Sequence, residues 1–244
     1  MDGWLMERRQ FTAGVWVAAA RAGLAPAGAW PIAGLLAAPG VAQALSEGDA
    51  AAGVRDALRR AAGAAVGVLG RMDGFLGDPR VRIGLPPALE QAGELLRKLG
   101  QGRRVDELVT GMNRAAEQAV PLARPLLEDA VRRMSVEDAL GLVRGGETAV
   151  TDFFAAKTRQ PLAQAFAPVV LPVTERLSLA RRHDELVDRA AKLGLVKGEP
   201  RKVHEHVTER ALEGLFLMLG EQERQLRADP AAAGSALLKR VFGR

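Results

Sequence analysis

Residues 105–119, VDELVTGMNRAAEQA, hold the pattern on which the fold is read. Apolar side chains recur at Val105, Leu108, Val109, Met112, Ala116 and Ala119, the spacing that places them on one face of an α-helix. The same reading extends outward in both directions. Toward the N-terminus, Ser46 followed by Asp49 forms a capping pattern ahead of an Ala-rich helix that reaches about Arg71. Toward the C-terminus, Pro121 opens a helix to Met134, Ser135 with Asp138 repeats the cap, and Gly145-Gly146 closes the short helix behind it. Residues 147–157 and 158–179 read as two further helices, the second interrupted by Pro161, Pro168 and Pro172, which remove backbone donors. Residues 181–193 form another, stopped at Leu193-Gly194-Leu195. The turn at residues 198–200 leads into residues 203–226, where LEGLFLML at 212–219 is apolar nearly all round and predicts the central buried helix. Asp229-Pro230 caps a last helix over 231–242. The expectation is an all-α, multi-helix bundle.

One stretch departs from that period. In GFLGDPRVRIGLPP, residues 74–87, Val81, Ile83 and Leu85 alternate with Arg80, Arg82 and Gly84, which predicts a short extended segment near residues 80–86. A lone strand cannot satisfy its own backbone, so the segment must lie along helices as a strap or pair with another strand, in this chain or a second copy.

The first 44 residues read as an export signal and not as part of this bundle. Arg8-Arg9-Gln10-Phe11 is a twin-arginine pair followed by a large apolar residue. From Gln10 to Ala44 there is no acidic residue, a single Arg21, and a closing small-x-small site at Ala42 and Ala44. Pro26, Pro31 and Pro39 with Arg21 argue against a membrane anchor. The expected start is Met1 or Met6. The expected mature domain runs from residue 45 to 244 as one helical unit. It is placed in the periplasm, with the twin-arginine export machinery and signal peptidase as transient partners and no stable membrane span after cleavage.

Composition narrows the function classes. There is no Cys, which removes thiolate metal sites, iron–sulfur ligation and disulfides. Trp4, Trp16 and Trp30 all precede residue 44 and there is no Tyr, so stacking platforms and aromatic cages would have to rest on Phe alone. Three of the 34 basic and two of the 29 acidic residues fall in the first 44, which leaves 31 against 27, a net of +4. With few groups titrating near neutrality, this small excess suffices for a high isoelectric point, about 10.2. Charges of both signs are interleaved, and no basic block suggests a nucleic-acid partner.

Four polar residues are poorly explained by solubility alone. Arg80 and Arg82 alternate along the extended segment; Asn113 and Glu117 stand one helical turn apart beside Met112. They are the candidate ligand or partner site, with an intramolecular hydrogen bond holding strap to helix as the competing role. His204 and His206 are the metal candidates, but two residues apart on a helix they point about 200° away from each other, and no metal or other cofactor is expected. Ser46 and Ser135 read as caps, so no catalytic residue is assigned.

Several of these runs together resemble a bacterial domain-of-unknown-function family, number 4197. The matching stretches are residues 46–50, Gly74-Phe75, residues 81–86, residues 112–117, residues 135–154 with Gly145-Gly146, and residues 211–216. The resemblance spans residues 45–243 and implies an exported, predominantly helical protein without an established activity or catalytic residues to carry over. It also leads one to expect an aromatic residue at His183 and His206. The function expected from all this is a non-catalytic periplasmic binding or interaction module with a protein or lipid partner. The alternative is a carrier holding an apolar ligand such as a lipid between helices; an enzyme of unnamed class stands third.

Overall fold

Ser46 begins the bundle: its Oγ accepts the Asp49 amide at 3.1 Å and so satisfies one of the free donors at the start of the first helix. The computed structural model describes residues 46–178, 180–184 and 202–229. Helix α1 (Glu47–Leu69) is followed by α2 (Pro87–Lys98) and α3 (Gly102–Ala119). A 3-10 turn (Val120–Leu122) then leads into α4 (Ala123–Arg132), α5 (Val136–Arg144), α6 (Ala149–Glu175) and α7 (Val203–Ala228). There is no strand among the described residues. The all-α bundle is therefore the architecture. The residues expected to form an export signal, Arg8, Arg9, Phe11, Ala42 and Ala44, and the expected helix over 231–242 lie outside the described residues, as does most of 181–193.

Helix α1 contributes a face of small residues, including Ala51, Ala57, Ala62 and Ala65, and packs on α4, α5 and α7. Helix α3 packs on α2, α6 and α7, with Val105, Leu108 and Met112 essentially inaccessible. Helix α2 is an element the sequence reading left unassigned. Pro87 at its first position costs no hydrogen bond, and Gly100 (φ 74°) takes the left-handed conformation just past its end. Ser135 and Asp138 make the expected reciprocal capping box on α5.

The expected division between residues 157 and 158 is corrected: residues 149–175 form one continuous helix with Pro161, Pro168 and Pro172 inside it. All three prolines lie on the exposed side, while Val150, Phe154, Thr158, Leu162, Phe166, Val170 and Thr174 are buried. Each buried residue follows the last by four, so at 3.6 residues per turn the stripe drifts by about 40° at every step and winds around the helix. That winding lets α6 meet α3, α4 and α7 along its length, and packing on three neighbours outweighs the lost proline donors. Helix α7, expected to be central, packs on α1, α3 and α6, although Leu217 is exposed on its outer side.

Candidate functional site

The four candidate residues come together on the strap, residues 71–86, which crosses α3 and α7 without a regular hydrogen-bond ladder. It begins in a tight turn. Asp73 has φ 61°, and a Cβ on Gly74 would lie 2.4 Å from the Leu69 carbonyl oxygen, so only glycine fits there. The alternation expected from sequence is present. Val81 and Ile83 are buried and Leu85 half-buried, whereas Arg80, Arg82 and Gly84 are exposed.

Side chains of the helices take over the hydrogen bonding that a partner strand would supply. Asn113, fully buried on α3, accepts the Ile83 amide on Oδ1 at 2.9 Å and donates from Nδ2 to the Ile83 carbonyl at 2.8 Å. Its Nδ2 also donates to the Val109 carbonyl at 2.7 Å. One turn further, Glu117 Oε1 accepts the Phe75 and Leu76 amides at 3.1 and 3.3 Å. Its other oxygen accepts Arg114 at 2.6 Å, and Arg114 in turn reaches Asp73 at 2.8 Å. Asn113 and Glu117 thus perform the intramolecular role, and neither is directed outward.

Helix α7 clamps the strap from the other side. Arg80 donates to Asp78 and, at 2.5 Å, to Glu221. The Arg80 guanidinium beside Asp78 holds its carboxyl below the usual carboxylate range. His206 Nε2 lies 3.2 Å from the Gly84 carbonyl oxygen, an acceptor, so the ring donates from Nε2. Burial pushes this imidazole below its ordinary value. A Cβ on Gly214 would come within 2.8 Å of the Phe75 ring, so the strap closes on α7 at a point where no larger residue fits without displacement. His183, also singled out by sequence, is buried, with Nδ1 3.0 Å from Asp184.

Arg80 and Arg82 are both exposed, but of the four candidates only Arg82 has a side chain that makes no hydrogen bond or ion pair among the described residues; its backbone amide donates to the Asp78 carbonyl at 2.9 Å. Two residues that sequence reasoning missed do comparable work elsewhere. Glu223 of α7 is buried and accepts the Val150 and Thr151 amides at 3.0 Å each, capping α6 from a different helix. Arg227 bonds Glu223 at 2.9 Å and donates to the Leu142 carbonyl at 3.0 Å, in the last turn of α5. The signal for Glu223 is its register: it follows Leu215 and Leu219 at four-residue steps, a carboxylate on a buried stripe. Among the described residues no three His, Asp or Glu side chains stand close enough to share a metal ion, and no helix is long and apolar enough to cross a membrane.

Residues 44–243 match the family model described as "Protein of unknown function (DUF4197)". No curated protein and no solved structure matches the chain.

Proposed function

The chain belongs to the DUF4197 family, and from that premise we propose that it is a non-catalytic interaction module that works in the periplasm. In this reading the twin-arginine signal exports it and peptidase cleaves it near Leu45. The observation that carries the interaction role is Arg82. It projects from a strap that Asn113, Glu117, Arg80 and His206 hold in one conformation, so a forked cationic group is presented with its backbone already ordered. A partner bearing carboxylates or phosphates suits that group.

At the contact of α1 with α7 the carrier alternative finds no room. The apolar crevice where α1 meets α7, between Val54, Leu58, Ala61 and Leu226, measures about 10 Å³. That is room for roughly one water and not for an acyl chain.

Gly84 gives a direct test, since a side chain added there meets nothing within 4 Å, and Gly67 on α1 is an equally open control. A photo-crosslinking residue placed at 84 in cells should yield a discrete adduct that position 67 does not. Adding Arg82→Glu should abolish the adduct, and Arg82→Lys should retain part of it. Identical adducts from both positions, or an adduct that survives Arg82→Glu, would refute the strap as the contact surface.

A further inference from the structure

Away from the strap, a cleft of about 330 Å³ opens between α4, the start of α5 and the middle of α6. Leu126, Met134, Phe153 and Pro161 form its apolar wall. Its charged residues are Asp129, Arg133, Asp138 and Lys157, which are balanced in number but not in hydrogen bonding. Asp129 receives Arg132 on one oxygen at 2.6 Å and Arg133 Nε on the other at 2.8 Å. Asp138 accepts the Ser135 amide at 3.0 Å in the α5 capping box, and the Thr158 hydroxyl donates to the Phe154 carbonyl at 2.6 Å. The donors are differently placed. The Lys157 side chain makes no hydrogen bond or close ion pair among the described residues, its charge acting on Asp138 only from a distance, and the Arg133 side chain commits only Nε. The cleft is therefore lined by two carboxylates that already accept bonds, by an ammonium without a hydrogen bond, and by a guanidinium that uses one of its three nitrogens.

A ligand that complements this inventory must bring acceptors for the two cations and an apolar body for the wall. The volume falls in the range of small-molecule sites, roughly 300–1,000 Å³. We propose that this cleft binds a small organic anion, with a carboxylate, sulfonate or phosphate group at Lys157 and Arg133 and an aryl or short aliphatic body against Met134 and Phe153. The site is separate from the strap, so it stands or falls independently of the interaction surface around Arg82.

Two probes with the same aryl body test it. Anilinonaphthalene sulfonate carries the anionic group, and phenylnaphthylamine lacks it. Fluorescence titration of the full chain should show saturable binding of the sulfonate. Lys157→Gln should weaken that binding about tenfold, the loss expected for one charged hydrogen bond. Lys157→Arg should restore it, while the neutral probe responds less than about twofold to either change. Phe153→Ala should weaken both probes, with melting temperature measured alongside to exclude general loosening. Absence of saturable sulfonate binding, an unchanged affinity in Lys157→Gln, or equal losses for both probes would overturn the assignment.

Discussion

Asn113 shows how much of this fold rests on a single side chain. Both hydrogen-bonding groups of buried Ile83 are satisfied by its amide, so Asn113→Ala leaves a backbone donor and a backbone acceptor without partners. The expected cost is about 2–4 kcal/mol, read by urea or thermal unfolding. Asn113→Asp should be no milder, because it keeps the shape but loses both donated bonds and buries a charge. His206 gives a pH dependence whose sign is fixed. Its folded pKa lies below the ordinary value near 6.5, so the unfolded chain takes up the proton first. The associated stability is complete above that value and declines as pH falls through it toward the folded pKa. His206→Phe should flatten this part of the stability profile, and a profile with the same slope in both proteins would remove His206 from the account. Sequence flagged Asn113 and Glu117 as unusual and offered a hydrogen bond from helix to strap as one role, which they perform, but not which strap residues they hold. Their partners lie 30 and 42 residues away, beyond the reach of local periodicity.

At the level of elements, the junction between α5 and α6 is held from α7. Glu223 caps the first turn of α6, where the helix dipole favours a carboxylate, and Arg227 binds a carbonyl in the last turn of α5. Glu223→Ala should therefore cost about 3 kcal/mol, since it strips two helix amides of their acceptor and removes one of the partners of Arg227. Glu223→Gln keeps one acceptor and should cost less, about 1–2 kcal/mol. Hydrogen exchange should show the change first at Val150 and Thr151; protection unchanged there in Glu223→Ala would refute the capping role. Helix existence was legible where a cap precedes the helix, as in α1 and α5, and from the apolar face alone in α3. The continuity of α6 was not, because its prolines signal breaks locally while a winding stripe, which satisfies three neighbours in turn, overrides them. Helix α2 was missed because its caps are a proline and an exposed turn rather than a hydroxyl, and because Leu95 and Leu99 are exposed.

For the molecule as a whole, the export proposal makes a spectroscopic prediction. Trp4, Trp16 and Trp30 all precede the proposed cleavage point, so protein recovered from the periplasm should lack tryptophan fluorescence while the precursor has it. Arg8→Lys with Arg9→Lys should keep the fluorescent precursor in the cytoplasm. Export that persists after that double change would assign the signal to the general secretory route. The strap carries a consequence for the timing of synthesis. Its bonds to Glu221 and His206 join positions 141 and 122 residues apart, so the surface that closes over Phe75 and Val81 is made long after the strap itself. A nascent chain holds the strap long before it holds α7, and contacts of such separation are slow to close. Final docking therefore waits until α7 has left the ribosome. A chain that stops before α7 has neither Glu221 nor His206 to hold the strap, so Phe75 and Val81 would stay uncovered in it and mark the fragment as unfinished by the apolar surface it shows.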